Sequence, residues 1–335
     1  MTNKEWIKAT VAHRETGRVP YSFMFSPPAM KRLCAHYGVA DLNAVLNLPA
    51  RTYGPASPKP LYASPDVFGP TVTDEFGVVW STNYIDRGAP LEYPLTEADL
   101  SSYTFPDPHA PGRFDGLAAW CAKNTEHYTG MWVGALWERA TFMRSMEELL
   151  YDLAENRPFV EDLLEALTDN ILQTMETLFT LGDFDGCFLS DDYGTQKSLL
   201  MSPADWRALI KPRLERMVDL AKKHGRQFFL HSCGNVEQII PDFIELGLDI
   251  LHPIQPEAMD IYHLKREYGR DITFCGGIRT QDLLPLGTPA EVRAEVRKLK
   301  ETMGAGGGYI LEPGITVQDD VPLENMVAMI EEAMN

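Results

Sequence analysis

His231 and Cys233 stand two residues apart at the end of the apolar run Gln227-Phe-Phe-Leu-His231, and Cys275 closes the next run but one, Ile272-Thr-Phe-Cys275. Residues two apart on a strand share a face, so the His231 imidazole and the Cys233 sulfur can converge on one point. Two thiolates and one imidazole suit zinc better than magnesium or calcium, and three protein ligands leave a coordination position for chemistry. The competing reading is a core histidine beside buried thiols. Arrival of the third cysteine in the same strand-end setting favours the metal.

Such ligands need rigid elements behind them. A short helix is expected over 4–14 and a first strand over 19–25, followed from residue 113 by a regular alternation. Helical periodicity covers 113–123, 144–181, 203–224, 236–246, 260–268, 289–303 and 322–334. Between these lie the apolar runs 131–137, 186–190, 227–231, 249–254, 272–275 and 308–312. Strand alternating with helix implies a parallel sheet, and the count reaches seven of the eight strands of a (β/α)8 barrel. The Pro- and Gly-rich stretch 50–112 is read as an insertion or lid carrying a small hairpin, within a single domain of residues 1–335.

Polar residues cluster at the C-terminal ends of the runs, the face where barrel enzymes build their sites. Glu138, Asp192 and Glu312 are candidates for a fourth ligand or a proton-handling carboxylate. Tyr193 and Trp137 at strand ends, with Tyr84 and Trp80 of the insertion, are candidate walls for an aromatic substrate. His252 reads as a core histidine and Asp205 as a helix cap. The glycine run Gly304–Gly308 precedes a strand and opens no helix, so a tight turn is expected there rather than a phosphate cradle.

A formal charge of −18 argues against nucleic acid and anionic membrane as partners. Five cysteines in 335 residues do not form a disulfide framework. With no apolar signal core at the polar start and no stretch long enough to span a bilayer, the cytoplasm is the expected location.

The strings Ser190-Asp-Asp-Tyr-Gly-Thr-Gln196, Met201-Ser-Pro-Ala-Asp-Trp206, His231-Ser-Cys-Gly-Asn235, Gly276-Gly-Ile278 and Gly306-Gly-Gly-Tyr-Ile-Leu311 resemble the uroporphyrinogen decarboxylase superfamily. The resemblance covers roughly 115–335 and implies a distorted (β/α)8 barrel. One branch of that superfamily is metal-free and reads an acidic tetrapyrrole through an arginine-bearing N-terminal motif, where this chain has Phe23-Met-Phe-Ser-Pro-Pro28. The other holds zinc-dependent methyltransferases linked to a corrinoid, recognised by His-x-Cys and a distal Cys. His231 and Cys233 match directly. The coenzyme M methyltransferases place the distal Cys in a Pro-Gly-Cys context that reads Pro313-Gly-Ile315 here, whereas Cys275 resembles the placement in O-demethylase methyltransferase components.

The resemblance thus implies methyl transfer between a small methylated substrate, an aryl methyl ether, and a corrinoid on a separate protein. A methylcobamide:thiol methyltransferase and a metal-free decarboxylase-like lyase are the alternatives, with a non-catalytic zinc protein as a third class. Acidic groups Asp191, Asp192 and Glu312 at the strand ends are expected to repel a polycarboxylate. Oligomeric state is left open, a homodimer being the form considered.

Overall fold

The computed structural model describes residues 1–335. Its strands are β1 (Ala50–Tyr53), β2 (Thr71–Thr73), β3 (Val79–Ser81), β4 (Pro90–Glu92), β5 (Tyr128–Gly134), β6 (Gly186–Ser190), β7 (Gln227–His231), β8 (Ile250–Ile254), β9 (Thr273–Ile278) and β10 (Tyr309–Pro313). Seven of them form a parallel sheet in the order β1-β5-β6-β7-β8-β9-β10. Strands β8, β9 and β10 are buried at every position, as their uninterrupted apolar runs require when both faces of a parallel sheet are covered.

The sheet curls around an interior of its own. Tyr128, Phe188, Phe229, Ile250, Cys275 and Ile310, from six successive strands, meet in one buried cluster. Phe188 stacks on Phe229 at 4.4 Å, and Gly130 leaves room for it, since a Cβ there would lie 2.3 Å from the Phe188 ring. Ile7 and Val11 complete the cluster from the Asn3–Val11 helix. That helix starts at a capping box between Thr2 and Glu5, and its apolar residues recur at helical spacing toward the sheet. A much larger apolar layer, including Trp137, Trp206, Leu163 and Met326, packs the outer helices against the strands.

The expected first strand over 19–25 appears as an extended segment lying parallel to the β10 edge, bridged at Tyr21 to Leu311 and at Phe25 to Val317. Ala50–Tyr53, at the start of the Pro- and Gly-rich stretch, pairs with β5 on the opposite edge of the sheet. The sequence reading missed this strand because Ala-Arg-Thr-Tyr has no apolar run to announce it. The rest of that stretch carries β2, β3 and β4 as a three-stranded antiparallel sheet, one strand more than the hairpin expected. The helix read over 144–181 is broken at Ser145, whose side chain caps the next helix through Glu148 N, and again at Asn156 ahead of Pro158. Likewise 203–224 divides at Ile210, with Pro212 opening its second half. No helix is long and apolar enough to cross a membrane.

Candidate active site

Strand register sets the site. Ser190 of β6 pairs with His231 of β7, and His231 with His252 of β8. Register partners on neighbouring parallel strands project to the same side about 4.8 Å apart, which brings His231 Nδ1 to 2.9 Å from His252 Nδ1. On the far side of His231, its Nε2 lies 3.4 Å from Cys233 Sγ and 3.4 Å from Asp192 Oδ1. Asp192 Oδ1 also accepts the Cys233 amide at 2.7 Å, tying the turn that carries the sulfur to the end of β6. Beyond His252, the Cys275 thiol donates to Glu312 Oε2 at 3.0 Å, and that oxygen lies 3.7 Å from His252 Nε2.

Charge is divided unequally along this row. Burial opposes a charge on His231, yet the Asp192 carboxylate and the Cys233 sulfur hold its pKa well above the ordinary imidazole value. His252 is pushed well below it by burial and by the neighbouring His231. One of the two Nδ1 atoms carries the proton that bridges them. Burial raises Asp192, but its hydrogen bond to His231 and the charge there outweigh burial and hold it below the usual carboxylate range. Glu312 and Cys275 are both raised by burial. Asp191, fully buried, accepts the Glu138 amide at 2.6 Å and is pushed up to about 7 by desolvation. Glu138 is raised by burial and by Asp192 in spite of Arg87, which donates to it at 3.1 Å.

The polar groups resolve into two trios, Asp192 with His231 and Cys233, and His252 with Cys275 and Glu312, each with its ligand atoms within 4.8 Å of one another. One imidazole, one sulfur and one carboxylate make a donor set that fits a borderline-soft divalent ion such as zinc better than magnesium or calcium. The proposed ligands His231 and Cys233 thus come together, while Cys275 sits in the adjoining trio, joined to theirs by the contact between the two histidines. His252, read from sequence as a core histidine, is a central member of the row. No local sequence signal marks it; only its register opposite His231 does.

The aromatic candidates separate. Trp80 lines a cavity of about 300 Å³ between the small sheet and the end of β5, together with Glu138 and Ser190. Tyr84 is 54% exposed and bonds Asp66. Trp137 and Tyr193 are fully buried, Tyr193 packing edge-on against Trp206. As substrate walls these two are corrected to core residues: the apolar pattern that announced a strand end also marks the layer under the helices. Lys59 and Arg87, which line the cavity, were missed because they lie in loops without periodicity. Gln255, whose Oε1 accepts the Gly234 amide at 2.6 Å, fixes the turn after Cys233.

Fold and site define an α/β protein whose reactive side chains gather at the C-terminal ends of parallel strands. Residues 74–335 match the uroporphyrinogen decarboxylase (URO-D) family. A methylated-thiol–coenzyme M methyltransferase of Methanosarcina mazei is 27% identical over 143 residues, a stretch that spans 43% of this chain and 36% of that protein. The structure of a methyltransferase from Methanosarcina mazei superposes with a TM-score of 0.74 over 100% of this chain and 98% of its own, at 17% identity, a likeness of fold. The chain belongs to the uroporphyrinogen decarboxylase family.

Proposed function

We propose that this protein is a zinc-dependent methyltransferase that moves a methyl group between a small methylated substrate, an aryl methyl ether, and a corrinoid carried by a separate protein. It would work as one distorted (β/α)8 barrel with 50–112 as a lid. The observation that carries the reading is the convergence of Asp192, His231 and Cys233 beside His252, Cys275 and Glu312. The methyltransferase among its relatives supports it.

His231, Cys233 and Cys275 would hold the zinc, which when bound supplies a Lewis acid that stabilises negative charge on the heteroatom exchanging methyl. Asp192 orients His231 and, through the Cys233 amide, the sulfur; such partners set both ligand direction and basicity. Glu138, buried beside Ser190 and paired with Arg87, is placed to accept a proton there. Were Cys275 to ligate as a thiolate, Glu312, which accepts its thiol proton at 3.0 Å, would be the group placed to receive that proton. Trp80 presents an aromatic face to the substrate ring.

A second reading, methyl delivery to a thiol, is favoured by the printed activity of the M. mazei relative and disfavoured by Ile315, where the thiol enzymes place cysteine. The test follows the visible spectrum of a reduced corrinoid protein offered methoxyaromatics, methylamines and methylthiols. Methylation of the corrinoid by a methoxyaromatic is expected; methylation by thiols alone would select the second reading. Elemental analysis of the purified protein is expected to give about one zinc per chain.

A further inference from the structure

The cavity beside the lid holds four cations and three acids. Arg87 pairs with Glu138 at 3.1 Å, Arg139 with Asp74 at 2.6 Å, and Arg113 with Glu75. Those three pairs use every acid in the wall. Lys59 is left over: its Nζ donates to the Arg87 carbonyl at 2.7 Å, lies 4.3 Å from the centre of the Trp80 ring, and forms no ion pair with a carboxylate. In a chain of net charge −18, a cavity with a cation to spare is not a sample of the general surface.

The walls are aromatic. Trp80 meets Phe142 edge-on at 4.8 Å, and Phe76 and Trp132 also line the space. About 300 Å³ is the lower end for small-molecule sites and suits a single substituted ring. Ser190, which also lines the cavity, is the register partner of His231, so the cavity that holds the lid cation adjoins the histidine row. A half-desolvated ammonium against an aromatic wall lacks the counter-ion that would compensate its burial, and an anionic ligand supplies it.

We infer that this cavity selects an aromatic substrate bearing a carboxylate, which Lys59 holds at the lid while the methyl-bearing substituent faces Ser190 and Glu138. The inference rests on the proposed methyl transfer for the substrate's other end, but the anion site stands on geometry of its own. It sets a local surplus of positive charge beside the acids of the histidine row.

Binding of para-methoxybenzoate, para-methoxybenzamide and plain benzoate, measured by calorimetry on the whole protein, tests it. The wild-type chain should bind the benzoates about tenfold or more tightly than the amide, the worth of one charge-assisted hydrogen bond. Lys59→Met, which keeps the stem packed on Trp80, should erase that preference, and Lys59→Arg should restore most of it. Equal binding of acid and amide by wild type, or a preference that survives in Lys59→Met, overturns the inference. Thermal melting of both variants identifies any loss caused by unfolding, and in that event the wild-type acid-to-amide ratio decides alone. Benzoate preference without methyl transfer from the methoxy compound leaves the anion site standing and removes the proposed reaction; transfer without the preference does the reverse.

Discussion

At the N-terminal ends of the strands, Asp185 accepts the Thr129 amide at 2.9 Å and its hydroxyl at 3.0 Å, and pairs with Lys8 at 2.6 Å and Lys4 at 3.2 Å. Asp249, two crossovers further on, accepts the Phe228 amide at 2.7 Å. At the C-terminal ends the same residue type behaves otherwise: Asp192 meets an imidazole and a sulfur, and Glu312 a thiol and a second imidazole. The lower carboxylates accept from backbone amides, and Asp185 from two lysines as well. The upper ones face groups that can all bind a cation. A residue's chemistry here is set by which end of its strand it occupies, because only the upper end is followed by loops that leave the space open.

Variants at the two ends should therefore separate activity from stability. His231→Ala is expected to lower kcat about a thousandfold with little change in KM, since charge stabilisation matters most where charge develops. A Cys233→Ala, Cys275→Ala double variant should emerge without zinc; full retention of metal would remove both sulfurs from the ligand set. Asp192→Asn keeps the shape and removes the charge, and should weaken zinc binding by about 10–100-fold in a chelator competition while the melting temperature of the metal-free protein moves little.

The lower end predicts the converse. Asp185→Asn should cost about 1–3 kcal/mol in denaturant unfolding, with kcat unchanged, because a buried acceptor loses its charge-assisted bonds. Burial raises the Asp185 pKa, but its bonds to Lys8 and Thr129 outweigh burial and leave it below the ordinary value. A depressed carboxylate stabilises the fold above its unfolded pKa and loses that contribution as the pH falls through the folded one. The stability gap between wild type and Asp185→Asn is thus expected to close in acid, below about pH 4. Tyr84→Phe is the smallest: it removes one exposed hydrogen bond to Asp66, and stability should stay within about 0.5 kcal/mol.

Legibility from sequence followed the same division. The parallel α/β order and six of the seven sheet strands could be read because buried strands write long apolar runs, as in Ile250–Ile254 and Tyr309–Pro313. The strand Ala50–Tyr53 could not, being half-buried at an edge. His231 and Cys233 were visible as a local pair. The second trio was only half visible: Cys275 and Glu312 were named, but their union with His252 depends on the β7–β8 and β9–β10 registers, which no single segment encodes. Lys59 and Arg87 are loop residues 28 positions apart in sequence, joined through the Arg87 carbonyl once the small sheet has folded.

The helix Asn3–Val11 seals the lower end of the curled sheet, with Ile7 and Val11 seated against Phe188, Phe229 and Ile310. That end of the curled sheet is thus filled with apolar side chains. The N-terminal helix, remote from every reactive atom, thereby leaves the C-terminal ends of the strands as the face from which the histidine row is reached.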